Sequence, residues 1–309
     1  MGARVEDFLT GLLDGCTQLM DRWKQRHRPG QDWQLARLTC WDGLARVLPA
    51  DLTGPNGPAL DLDPAAYRLM WSESRALHVL EHVEPVKPIG MPALIERLYA
   101  VVASRFDPPT PFADDAARAT VVAWSARHTT PAGLPQSAMA LVDFVQSAPL
   151  QARDAQMAAL LSSVLPAWAG LPMVHVLPPD GRAEEGFAHA LAAACDGEDG
   201  AWIAYYLGRA RRVLKRMPTL LDGSDTIRTR WASLFRRAPF DRATAEHLAS
   251  ILVSLPVITP TFMADTHVPG DVLSDALVLL FAADEAVEVD LPGGNSVTIL
   301  PAPLRLLSA

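Results

Sequence analysis

Residues 203–217 read IAYYLGRARRVLKRM. On a helical wheel of ~100° per residue with Arg209 at zero, Ile203, Tyr206, Leu207, Ala210, Val213, Leu214 and Met217 fall between about 40° and 160°. Arg209, Arg211, Arg212, Lys215 and Arg216 fall between about 200° and 360° on the same wheel. A strand alternates its faces every second residue and cannot produce that separation, so the segment is an amphipathic helix.

The same apolar spacing recurs on both sides of this stretch and breaks at proline and glycine clusters, which predicts a mainly α chain of about twelve helices. Several starts are marked: Asp63-Pro64, Thr110-Pro111 ahead of a run ending near Arg127, Ser224 ahead of DTIRTRW, and Asp241 ahead of RATAEHLASIL. In each, a short polar side chain can accept a bond from an orphan N–H, and proline sits where no helical bond is lost. The Ser224 start predicts a second helix, joined to 203–217 by a link short enough to bring the two together. No fixed-period repeat is evident, so an irregular helical array is expected in place of a regular solenoid.

Three stretches resist helix. Residues 50–62, ADLTGPNGPALDL, read as a loop; Met173 to Leu177 is a short apolar run between prolines that reads as a strand; Leu255 to Phe262 alternates proline with Val257, Ile258 and Thr259. At the C-terminus, EAVEVDLPGGNSVTILP places two alternating segments around Gly293-Gly294-Asn295, residues that accept the positive φ of a tight turn. A β-hairpin is expected there, supported by a helix or by pairing with 173–177, since an isolated hairpin is only marginally stable. The proline-rich passage 166–182, PAWAGLPMVHVLPPDGR, marks a boundary between regions 1–170 and 171–309, though the two can also form one continuous domain.

At 309 residues and 50% hydrophobic content, the chain can bury a large core without staples. Cys16, Cys40 and Cys195 are odd in number and have no C-x-x-C spacing, which suggests neither a disulfide framework nor a thiolate zinc site. Acids interrupt the N-terminal segment where an export signal needs an apolar run, and the run Ala276 to Ala283 is far short of the ~20 residues of a membrane span. A cytoplasmic protein without membrane insertion is expected. Twenty-four of the 27 basic residues are arginine, a bias typical of high-GC bacterial coding.

The net charge of -8 conceals an uneven distribution. Residues 209–242 carry ten basic groups against three acids, whereas 243–309 carry Arg305 alone against eight acids. Within the basic block, Arg209, Arg211, Arg212, Lys215 and Arg216 are followed by Arg228, Arg230, Arg236 and Arg237, with Trp231 and Phe235 interleaved at core spacing. Such a face attracts carboxylates or phosphates through summed charge and bidentate guanidinium contacts. It can also be a solvated face, or one paired with the acidic C-terminal segment.

There is no P-loop, no G-x-G-x-x-G, no G-x-S-x-G and no H-E-x-x-H; His82-Val83-Glu84 lacks the P-C-x-x-C partner of a zinc deaminase. His78-Val79-Leu80-Glu81-His82 has the order H-x-x-E-H, and LHVLEHV resembles the helix of pitrilysin-like zinc peptidases. The resemblance implies His78 and His82 as ligands, Glu81 as general base and a downstream glutamate as third ligand. It spans seven residues, no glutamate occurs between Glu96 and Glu184, and no strand-rich sequence precedes it. Solvated histidines on the polar face of a helix are the plainer reading. The acid pairs Asp114-Asp115, Glu184-Glu185 and Asp284-Glu285 fall at expected helix ends, where the macrodipole and solvent account for them.

The sequence therefore predicts a non-enzymatic helical interaction or adaptor subunit of a bacterial assembly, without cofactor, that contacts a partner, another protein subunit or nucleic acid, through the 209–237 face. A nucleic-acid-binding component of a defence or mobile-element system comes second, and a metal-dependent hydrolase using His78, Glu81 and His82 third.

Overall fold

Helical spacing is carried into structure over most of the chain. The computed structural model describes residues 2–25, 31–47, 64–104, 106–128, 133–175, 185–259, 266–291 and 295–308. The fold is mainly α, with 74% of the described residues helical and a small antiparallel sheet near the C-terminus. The helices are α1 (Gly2–Lys24), α2 (Gln31–Thr39), α3 (Asp42–Val47), α4 (Pro64–Glu81), α5 (Met91–Val102), α6 (Asp115–His128) and α7 (Leu134–Ser147). There follow α8 (Asp154–Trp168), α9 (Glu185–Cys195), α10 (Asp199–Phe235), α11 (Arg242–Ser254), α12 (Gly270–Ala282) and α13 (Pro301–Ser308). The strands are β1 (Val257–Ile258), β2 (Val287–Leu291) and β3 (Asn295–Ile299). Among the described residues no helix is long and apolar enough to cross a membrane, and none of the three cysteines forms a disulfide.

The chain divides into two compact units, each assembled from separated segments. One comprises Met1–Ala36, Ala76–Pro178 and Arg182–Pro218, the other chiefly Arg37–Arg75 and Thr219–Ala309. Helix α10 contributes its first part to one and its last part to the other.

In the first unit, α8 is buried on all sides from Met157 to Pro166, a stretch that is apolar except for two serines. A helix with no polar face has no stable position except an interior one. The hydroxyls of Ser162 and Ser163 reach that interior by donating back to the Ala159 carbonyl at 3.1 and 2.7 Å, which satisfies them locally. Helix α7 is held from two directions by indole N–H groups. Trp124 on α6 donates to the Ala140 carbonyl at 2.9 Å, and Trp202 on α10 donates to that of Ala138 at 2.8 Å. The polypeptide leaves α7 through Ala148, in the left-handed region at φ 40°, whose N–H closes on Phe144 and Val145. Asp107 then ties the loop after α5 to Arg153 at the head of α8 at 2.5 Å.

In the second unit, Ile227, Trp231 and Phe235 from the end of α10 pack with Leu248, Leu252, Leu273, Leu280 and Leu300. Asp241 caps α11 by accepting the Thr244 N–H at 2.7 Å, as the sequence predicts. The sheet has the order β1-β3-β2. The hairpin pairs Val287 with Ile299 and Val289 with Val297, and these four side chains are buried while Glu288 and Asp290 face outward. Its turn residues 292–294 lie outside the described residues, and Asn295 opens β3 as the partner of Leu291.

Four expectations are corrected. The strand that supports the hairpin is β1, with Val257 against Ile299, and not 173–177. Met173 to His175 are extended and buried but outside any ladder; the Met173 N–H donates to the Asp32 carboxylate at 2.9 Å, and 176–177 lie outside the described residues. Helix α6 begins at Asp115, where the Asp114 carboxylate caps the Ala117 N–H, because Gln151 has taken the Thr110 and Phe112 carbonyls into a turn. Ser224 starts no helix. The buried series Met217, Leu220, Ile227, Trp231 keeps helical spacing through Pro218 and Gly223, and α10 runs on as one helix. The 50–62 loop lies outside the described residues.

Candidate functional site

The first basic stretch belongs to the first unit. Tyr206, Leu207, Ala210, Leu214 and Met217 are buried, so the two-faced wheel is realised as a packed face and a basic face. The basic residues are not equivalent. Arg211 lies against α1, its Nε 3.4 Å from where a Cβ on Gly15 would stand. It also faces Cys16, whose thiol is pushed up by burial and drawn partly back by this guanidinium. Cys16 donates to the Leu207 carbonyl, completing the seam between α1 and α10. Arg209 and Arg216 are half-buried, while Arg212 and Lys215 are exposed, one turn apart on the outer line of the helix.

The second basic stretch belongs to the second unit, and two of its arginines are engaged by acids. Arg228 meets Asp225 at 2.8 Å, and Arg230 meets Glu285 at 2.7 Å. Arg236 donates to its own helix at the Ala232 carbonyl, and Arg237 is exposed. Arg230 and Glu285 line a cavity of about 300 Å³ with Ile227, Asp284, Pro301 and Arg305, so its two cations stand among two carboxylates. Trp231 and Phe235, interleaved with these arginines, are fully buried. The acidic C-terminal segment thus neutralises part of the basic block.

Arg212, Lys215 and Arg237 remain exposed without a carboxylate partner among the described residues. The two stretches expected on neighbouring helices lie on one, α10, so no packing of two basic helices occurs.

His78 and Glu81 lie in the last turn of α4, and His82 directly follows it. One donor atom from each lies within 4.8 Å of the others. His78 Nδ1 is 3.7 Å from the Glu81 carboxylate, and the two rings meet edge to face with centroids 4.9 Å apart. His82 Nδ1 is 2.9 Å from the His78 carbonyl. A carbonyl only accepts, so Nδ1 carries the proton and Nε2 presents its lone pair. The pitrilysin-like resemblance implies Glu81 as a base beside the ligands, whereas here its carboxylate lies among the donor atoms.

The second unit also holds a buried polar cluster with no sequence signature. Arg37 donates to the Ser254 hydroxyl at 3.1 Å, and burial lowers its pKa to about 10, which leaves it charged at neutral pH. Cys40, within electrostatic reach of Arg37 and Glu73, is pushed well above the ordinary thiol range, chiefly by burial and then by Glu73. A thiol held protonated is not a nucleophile at neutral pH. Cys40 is three positions after Arg37 in sequence, but Glu73 and Ser254 join them only through tertiary folding. Among the acid pairs, Asp114 caps α6 and Asp284 follows α12 at φ 55°, while Glu184 lies outside the described residues.

No protein-family model matches the chain, and no curated protein sequence is similar to it.

Proposed function

We propose that the chain is a non-enzymatic helical interaction subunit, and that Arg212 and Lys215 are the contact through which it engages an acidic protein segment. The observation that carries this reading is their exposure on the outer line of α10, opposite a fully packed face and without a carboxylate partner among the described residues. Two adjacent cations on a rigid helix match two or three carboxylates presented at helical or extended spacing.

Charge arithmetic favours protein over nucleic acid. Each neutralised phosphate contributes about -0.9 to the slope of log affinity against log salt, and non-specific binding at physiological salt rests on many such contacts. Three uncommitted cations give a slope near -3, too shallow to hold a duplex.

The test is fluorescence anisotropy of labelled poly-glutamate, single-stranded RNA and double-stranded DNA over a salt series, with wild type and an Arg212→Glu, Lys215→Glu variant. Saturable poly-glutamate binding that the variant loses while keeping its helical signal is the expected result. A nucleic-acid slope steeper than about -5 that the variant flattens would hand the function to RNA or DNA. No binding of any polyanion at low salt would refute the reading.

A further inference from the structure

We propose that His78, Glu81 and His82 form a binding site for a divalent transition-metal cation of the zinc class. The site is independent of the partner contact on α10 and requires no catalysis.

The turn is built in a way that favours a cation. At ~100° per residue, positions 78, 81 and 82 project within about a 100° arc, so all three side chains leave the helix on one side. The donor atoms already lie within 4.8 Å of one another. Bonds of about 2.0–2.1 Å at tetrahedral angles place donors about 3.3 Å apart, so closing the set asks for side-chain shifts of roughly 1 Å.

The tautomer of His82 is set in advance. With its Nδ1–H held by the His78 carbonyl, the neutral ring keeps Nε2 for a metal, the second-shell arrangement that fixes the tautomer of metal-binding histidines. The backbone under the site is fixed as well. The Val83 N–H closes on the Leu80 carbonyl at 3.0 Å, and the Val83 carbonyl accepts the Trp168 indole N–H at 3.3 Å. His78 and Glu81 lie in the last turn of an 18-residue helix and His82 directly follows it, where the macrodipole favours positive charge.

The donor set decides the class of ion. Two imidazoles and one carboxylate suit zinc, cobalt, nickel or copper, whereas calcium and magnesium take oxygen ligands in greater number. Neutral histidines with one carboxylate leave a net charge of +1 on the occupied site. Three protein ligands leave a further position for water or an outside donor. His82 is exposed, which gives the ion an entry path, while His78 and Glu81 are only 17% and 19% exposed.

The experiment uses the full chain without an affinity tag, stripped with chelator and titrated with cobalt(II) while visible absorption is recorded. Zinc(II) is then added to displace the cobalt. Wild type is expected to bind one cobalt with the intense bands of low coordination and to lose them on adding zinc. His82→Ala removes an exposed imidazole without touching the core and should weaken binding at least about tenfold, the loss that even an outer-shell change produces. Glu81→Gln should weaken binding and shift the bands, and His78→Ala with His82→Ala should abolish them. Absence of cobalt bands in wild type, or an affinity unchanged by His82→Ala, would overturn the proposal. If the double variant unfolds, the single His82→Ala result decides alone.

Discussion

Three fully buried tryptophans differ in one respect that replacing each with phenylalanine isolates. Trp124 and Trp202 donate their indole N–H to carbonyls of α7, whereas no acceptor among the described residues reaches Trp231 Nε1. Each change to phenylalanine shortens the ring and forfeits about 1–2 kcal/mol of packing. At 124 and 202 a hydrogen bond worth about 1 kcal/mol is also lost, which brings the cost to about 2–3 kcal/mol. At 231 the substitution removes a buried donor whose desolvation was uncompensated, a relief of about 1–3 kcal/mol that offsets the lost packing. Trp231→Phe should therefore leave stability near that of wild type, about 2 kcal/mol above the other two variants. Urea unfolding followed by far-ultraviolet circular dichroism measures this without relying on the fluorescence that the substitutions remove. A Trp231→Phe variant as unstable as Trp124→Phe would refute the reasoning, because packing would then dominate and the orphan N–H would cost nothing.

Two further predictions concern the first unit. Ala148 is exposed at φ 40°, where an L side chain is strained and glycine is not, so Ala148→Gly should raise stability by about 0.5 kcal/mol in thermal or urea unfolding; a loss of stability would show that chain entropy outweighs the strain. Burial raises the pKa of Asp107, but hydrogen bonds from the Ser104 N–H and from Arg153 outweigh it and the net shift is downward. A carboxylate with a depressed folded pKa contributes stability above its unfolded value near ~3.9, and that contribution is lost as pH falls through the folded value. Asp107→Asn should cost about 1 kcal/mol at neutral pH and converge on wild type in acid, as stability measured from pH 7 to 2.5 would record.

The fold class was legible because its signals are local. The two-faced 203–217 wheel, the cap at Asp241 and the period-two segments around Gly293-Gly294 each occupy fewer than twenty residues. What escaped reading depends on distant partners. Two residues, Val257 and Ile258, suffice for a third strand only because Ile299 and Thr298 come to meet them. Ser224 has the chemistry of a helix start, and Pro218 and Gly223 that of a break, yet a continuous buried stripe overrides both. The basic block was visible, but its arginines were sorted only in three dimensions, where Glu285 takes Arg230 and Arg211 lies against Gly15. The Arg37, Cys40 and Glu73 cluster had no linear signature at all. The H-x-x-E-H helix was found by its spacing, while the orientation of His82 Nε2 depends on a backbone bond that spacing does not reveal.

The interleaving of the two units has a consequence for synthesis. The first unit needs residues up to 218 and the second needs residues 37–75 together with those beyond 219. A chain leaving the ribosome at about 5–20 residues per second therefore exposes two thirds of its length before either unit has all its parts. Helices such as α8, buried on every side in the folded unit, must wait through that interval without their partners. The nascent chain should thus be a strong client for chaperones, and neither unit should be recoverable by cutting the gene at a single point.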